Sequence, residues 1–152
     1  MHIEVDQSGK IGDTGVATVL AFSDTESHAI LIPAKVKRAC IHELRRKGKS
    51  GTTLYVQLFA VGLFLLLKEV IDKASLVTID LEYPGHDAAV KEHLLNLLRR
   101  AGGSVDANVI AFQQIHRSGR KPAAHDKAYV VFRGVAKPDQ IITIEELLEQ
   151  FK

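Results

Sequence analysis

The chain has little of several things, and each shortage removes a class of protein. Its 152 residues contain one cysteine, Cys40. That excludes an internal disulfide framework and a cysteine-rich zinc site, and it fits a reducing cytoplasm. There is no repeat at solenoid period and no low-complexity tract. No apolar segment follows Met1, so no secretion signal is expected. No Gly-x-Ser-x-Gly occurs, which leaves an acyl-transfer hydrolase without support. Gly9 and Gly12 flank Lys10, but without the strand–loop–helix setting or the Gly-Lys-Ser/Thr ending of a phosphate loop. His2, His28, His42, His86, His93 and His116 show no paired metal spacing, and Glu92-His93 lacks the second histidine of a zincin. An excess of charge of one sign is missing too: the net charge is +2, too small to select a partner by itself.

A long hydrophobic run is also missing. Residues 54–67 form an apolar stretch with Gln57 inside it and Lys68-Glu69 directly after it. It falls short of the ~18 residues expected of a membrane span. A helix apolar all round is also what a buried core helix looks like, and no membrane partner is expected. The composition is that of an ordinary water-facing protein, 46% apolar and 25% charged, at the size of one domain with a proper core.

Periodicity supplies the elements. Residues 2–6 are expected to form a first strand, 7–13 a turn, 16–22 a second strand, 23–26 a turn and 28–32 a third. Short turns between them make a meander of antiparallel hairpins. Pro33-Ala34 opens a helix carrying Val36, Ala39, Cys40 and Leu44 at spacings of three and four, ended by Gly48 and Gly51. The buried helix covers about 53–72, a fourth strand 76–82, a helix 87–100, a fifth strand 105–115 and a further helix 122–132. Thr143 reads as the N-cap of a last helix over 144–151, with Glu145 and Glu146 near its positive end. Three hairpin-linked strands followed by two crossover strands predict an α/β fold with a mixed five-stranded sheet and helices on its faces.

Four acids fall at informative places. Asp6 closes the first strand, Asp80 and Glu82 end the fourth, and Asp126 lies on the helix after the fifth. Carboxylates at strand ends and on a late helix can converge on divalent ions, which activate water and stabilise a leaving oxygen. Asp80 and Glu82 share a strand face, so beside Asp6 they repel unless a cation, a proton or solvent intervenes. Each acid has a plainer role as well. Asp6 suits a turn, and Asp126 suits the first turns of a helix. His125 points some 100° away from Asp126 around the helix and fits an exposed helix start. Tyr83, after the acidic strand, suits base stacking or packing at a sheet edge.

This order of elements and acids resembles the RNase H-like superfamily. The resemblance covers roughly residues 2–133, with 134–152 an extension in the same domain that carries the short last helix. It implies an essential acid on the first strand (Asp6), a second on the fourth (Asp80 or Glu82) and a third on the late helix (Asp126). Within the superfamily, Ala123-Ala124-His125-Asp126-Lys127-Ala128 is similar to the acidic helix of Holliday-junction resolvases of the RuvC type. That family has another aspartate one turn earlier, where this chain has Ala123, and His125 takes part of that role. The opening Val-Asp-Gln-Ser-Gly-Lys-Ile is similar to that of a small set of uncharacterised prokaryotic proteins.

The resemblance implies a metal-dependent nuclease that hydrolyses phosphodiesters of DNA or RNA, a branched-DNA resolvase among the options. Asp6, Asp80, Glu82 and Asp126 would bind Mg²⁺ or Mn²⁺, with His125 beside them. Lys35, Lys37, Arg38, Arg45, Arg46 and Lys47 crowd one stretch, and Arg117, Arg120 and Lys121 another. They suit contact with a phosphate backbone, or simply a solvated face. Two rivals stand beside the nuclease: an RNase H-like module that binds nucleic acid or protein without cleaving, and a nucleotide-binding relative of the actin and sugar-kinase type, which needs a second domain. The oligomeric state stays open, a homodimer included.

Overall fold

Alternation between two unlike faces builds the sheet. The computed structural model describes residues 1–80, 83–113 and 123–152. Strands β1 (His2–Ser8), β2 (Thr18–Ser23) and β3 (Ser27–Ile32) form the antiparallel meander. Strand β4 (Leu76–Asp80) joins β1 in parallel, and β5 (Ile110–Gln113) joins β4 in parallel. Along the strands, Ile3, Val5, Leu20, Phe22, Ile30, Ile32, Val77 and Ile79 enter one core, while Val19, Ala21 and Ala29 enter a second on the opposite face. The period of two along a strand makes this division.

The first core is covered by α1 (Ala34–Arg46), α2 (Gly51–Leu67) and α3 (Asp87–Arg100). Helix α2 is apolar all round because it is enclosed by the sheet on one side and α3 on the other. It comes close to the sheet at Gly62, where a Cβ would lie 2.8 Å from Leu20 Cδ1. Among the described residues no helix is long and apolar enough to cross a membrane. The second core is covered by α4 (Ala123–Phe132), whose Ala128 and Val131 pack against Val19, Ala21 and Ala29. Small residues on both sides let this helix lie close to β1 and β2.

The α/β class and the mixed sheet stand as expected, but the sheet has six strands rather than five, in the order β5-β4-β1-β2-β3-β6. The added strand, β6 (Gln140–Ile141), runs parallel to β3 at the edge. Two residues are too few to show alternation. Their pairing is imposed from outside: Asp139 Oδ2 accepts from the Ala29 N–H at 2.7 Å, and the Ile142 N–H donates to Leu31 O at 2.9 Å. Strand β1 also runs past its expected end, because Gln7 and Ser8 pair with Leu20 and Val19 and the turn begins at Gly9. The buried helix ends earlier than expected, at Leu67, with a separate 3₁₀ turn over Ile71–Lys73. Strand β5 starts later, after a 3₁₀ turn over Ala107–Val109 that Asp106 caps through the Asn108 N–H. The last helix, α5 (Ile144–Glu149), opens with a capping box between Thr143 and Glu146.

Candidate active site

Register places the acids. Asp6 pairs with Ala21 across the β1–β2 hairpin, and Ala21 belongs to the α4 face, so the Asp6 side chain lies between the sheet and α4. On the other side, the β1–β4 ladder runs through Val5↔Ile79. The next positions along these two parallel strands are Asp6 and Asp80. Neighbouring strands lie about 4.8 Å apart, so the two carboxylates sit side by side on one face. Both are buried, Asp6 at 2% exposure and Asp80 at 8%.

Two carboxylates buried together must be compensated. Asp6 Oδ1 accepts the Gln7 backbone N–H at 2.8 Å. Asp6 Oδ2 lies 2.8 Å from Nδ1 of His125, which α4 presents to the sheet. A carboxylate on Nδ1 favours the tautomer with the proton there, which leaves Nε2 as the acceptor nitrogen of a neutral ring. The same bond becomes an ion pair when the ring is protonated. Asp126 is exposed on the other side of α4, turned about 100° from His125. The structure therefore joins Asp6 to His125, places Asp80 on the strand beside Asp6, and leaves Asp126 in solvent. Glu82 lies outside the described residues, as do Arg117, Arg120 and Lys121.

Further along α4 is a ladder that no motif in the sequence marks. The His125 and Tyr129 rings stack with centroids 6.4 Å apart at 14°. The Arg133 guanidinium lies 5.9 Å from the Tyr129 ring centre. Tyr129 is 48% exposed, high for an aromatic. The signal in the sequence was the spacing of four and four, which is one helix face. Tyr83, by contrast, packs at the core edge, 5.4 Å from the Phe59 ring centroid.

The basic stretch divides. Lys35, Arg38, Arg45 and Arg46 are exposed and fall within about 100° of arc on α1, and Lys47 is exposed just beyond the helix end. Lys37 does not belong to that surface. It is fully buried, and its ammonium donates to Lys10 O, Asp13 O and Thr18 Oγ1 at 3.1, 2.7 and 3.0 Å. Its three donors are taken up in pinning the β1–β2 connection to α1, so it has none for a phosphate. Burial pulls its pKa down to about 8, against an upward pull from Asp13 and a further push down from Arg38. Of the exposed cations, Arg38 reaches Thr14 O, Arg45 reaches the Tyr55 hydroxyl, and Arg46 forms a bidentate pair with Glu43. The stripe belongs to the helical layer on the far side of the sheet from Asp6.

The donor set partly fits a divalent ion. Mg²⁺ is commonly held by one or two carboxylates and keeps several waters, and Asp6 and Asp80 supply two. Among the described residues no group of three or more His, Cys, Asp or Glu is assembled to hold an ion. Comparison with family models, with curated proteins and with solved structures finds no match for this chain.

Proposed function

We propose that the protein is a divalent-metal-dependent nuclease of RNase H-like type, acting on DNA or RNA. The observation that carries the reading is the buried pair Asp6–Asp80 on adjacent parallel strands, with His125 on Asp6. The strand order supports it: a meander β1-β2-β3 extended by parallel β4 and β5 beside β1 is the arrangement the resemblance implies. The sixth strand lies in the extension beyond residue 133.

Asp6 and Asp80 would hold the ion, and Mg²⁺ or Mn²⁺ supplies charge at a phosphoryl oxygen and a more acidic water when bound. The chain's own residues do the rest. Asp6 keeps His125 in one orientation through the 2.8 Å contact, and the imidazole is suited to take a proton from water. Tyr129 offers a flat face for a base and Arg133 a charge for a phosphate, both on the helix that covers the acids. The α1 stripe would contact nucleic acid on another surface of the molecule, away from the bond being cleaved. A branched-DNA resolvase is the narrower form of this reading.

A second reading, a binding module without hydrolysis, is favoured by one observation: the third acid of the late helix, Asp126, stands in solvent while a histidine takes its place at Asp6. One experiment separates the two. The protein is assayed with Mg²⁺ and Mn²⁺ on branched junctions, RNA–DNA hybrids and single strands, beside Asp6→Asn. The nuclease reading expects cleavage that Asp6→Asn abolishes while binding persists. Cleavage retained by the variant would refute the role of Asp6. Binding without cleavage of any substrate would establish the module instead.

A further inference from the structure

The ladder on α4 starts at the ring bonded to Asp6 and runs outward through Tyr129 to Arg133. Among the described residues Tyr129 is the one tyrosine or phenylalanine that is exposed, the others being buried or half-buried. Its 48% exposure is what remains with the His125 ring and the Arg133 guanidinium already beside it. The His125 side chain is itself 30% exposed, and its ring lies within 14° of parallel to that of Tyr129. Aromatic pairs four residues apart also steady a helix, and that alone explains a pair facing solvent anywhere along α4. It does not explain the placement. An aromatic ring left in water forgoes its burial, and the one ring so left stands a single helical turn from the residue bonded to the buried carboxylate.

We infer that α4 holds an unpaired base on Tyr129, so that the substrate class is single-stranded nucleic acid. This rests on the nuclease reading of Asp6 and Asp80 and narrows it. In a duplex each base is stacked between its neighbours and shows only its edges in the grooves. A flat side chain gains nothing there by stacking. An unpaired base offers its π-face whatever its identity. The path of the strand follows from the order of the ladder. The phosphate to be cleaved lies at the acids, the base beside it lies on Tyr129, and the next phosphate meets Arg133, whose guanidinium takes two oxygens in parallel. Four residues of helix advance about 6 Å. That is nearly twice the ~3.4 Å per nucleotide of a duplex strand, so the rungs suit a strand drawn out of its base stack. Base faces and phosphates are common to DNA and RNA, and the ladder accepts either.

The test is binding by the intact protein in EDTA at one low ionic strength, so that no cleavage intervenes. The probes are end-labelled oligodeoxythymidylate, oligouridylate and a blunt DNA duplex of the same length, followed by fluorescence anisotropy. A single strand should bind more tightly than the duplex. Tyr129→Leu should weaken single-strand binding at least about fivefold, the lower end for loss of one base stack, and leave duplex affinity unchanged; Tyr129→Phe should restore it. In the parent, a saturating single strand should move the Tyr129 ring resonances upfield through the ring current of the stacked base. Tighter binding of oligouridylate or of oligodeoxythymidylate supports the inference in either case and assigns RNA or DNA. A duplex bound as tightly as both single strands overturns it, as do a Tyr129→Leu variant that binds like the parent, Tyr129 resonances unmoved at saturation, and no binding of any probe. The resonances are read on the unaltered protein, so they stand even if a variant folds poorly. Because binding is measured without metal, a failed metal role for Asp6 leaves the Tyr129 result intact, and a failed Tyr129 result leaves the cleavage assay of Asp6→Asn intact.

Discussion

A single buried ammonium shows how one side chain changes role once its surroundings are known. Lys37 reads as part of a basic surface, yet its three donors tie Lys10, Asp13 and Thr18 to α1. Replacing it with Met strands those acceptors, and an unmet buried polar group costs ~1–3 kcal/mol. Lys37→Met is therefore expected to lower stability in urea melts by about 2–3 kcal/mol. The pH dependence has a definite sign. The folded pKa of about 8 lies below the ordinary 10.5, so between those values the unfolded chain binds the proton and the folded chain does not. Lys37 therefore makes stability rise with pH from about 8 to about 10.5. The difference in stability between parent and Lys37→Met, measured across that window, should grow with pH; a flat difference would mean the ammonium is not desolvated. Cys40 tells a similar story, its thiol pushed up to about 12 by burial. That makes it a core side chain and a poor nucleophile.

At the scale of elements, two joints hold the layers in register. The first is Gly9, where β1 ends beneath α4. Its φ is +79°, and a Cβ there would stand 2.1 Å from Ala17 O and 2.8 Å from Phe132 Cε2. The backbone carbonyl of the β1–β2 connection cannot yield that far, and the Phe132 ring would have to move as well. Gly9→Ala is expected to cost at least about 2 kcal/mol, seen as a lowered thermal midpoint, and to loosen α4 over Asp6. The second joint is Asp139, which accepts the Ala29 N–H and pairs with Lys127 at 3.2 Å. Burial pushes its carboxyl up, but the Ala29 and Lys127 contacts outweigh it and its pKa is lowered. A depressed carboxyl contributes stability above its ordinary value of 3.8 and loses it as pH falls through the folded value. Hydrogen exchange at the Ile142 amide, which donates to Leu31 O, should therefore speed up relative to the intrinsic rate in that acid range. In Asp139→Asn the amide should already be less protected at neutral pH. Equal protection in parent and variant would show that β6 does not depend on this clamp.

For the whole molecule, the sheet works as a partition. One face carries the acids under α4, and the other carries the layer of α1, α2, α3 and α5 with the α1 stripe. If the stripe contacts nucleic acid, it acts by charge at a distance from the acids. Replacing Arg45, Arg46 and Lys47 with Ala is then expected to weaken nucleic-acid binding and reduce the slope of log K against log salt by up to about 3 units, since each lost phosphate contact removes roughly 0.9. Cleavage by the bound complex should change little. Affinity unaltered at every salt concentration would reduce the stripe to a solvated face. Part of the stripe is already occupied, because Arg46 pairs with Glu43, and exposed pairs of this kind add little to stability.

Much of this was legible in the linear chain. Period and punctuation marked α3 at Asp87–Arg100 and the meander of β1 to β3, because an apolar stripe or an alternating run records the face an element buries. The enclosed helix was recognisable from apolarity on all sides, and Thr143 as the N-cap of the last helix from its place before it; the reciprocal bond from Glu146 shows only in the structure. That Asp6 lies on the first strand and Asp80 on the fourth was legible too, although Asp6 is interior to β1 rather than its last residue. Their adjacency was not, since it depends on a parallel register between segments more than seventy residues apart. Nor was the choice between His125 and Asp126, neighbours in sequence whose roles are set by which side of α4 meets the sheet. Lys37 and β6 were hidden for the same reason: one owes its burial, and the other its pairing, to partners supplied by distant chain. Local pattern, then, determined the elements and the faces they bury. Only tertiary structure decided which charges meet, because a side chain's electrostatic partner is set by through-space distance, which sequence spacing does not encode.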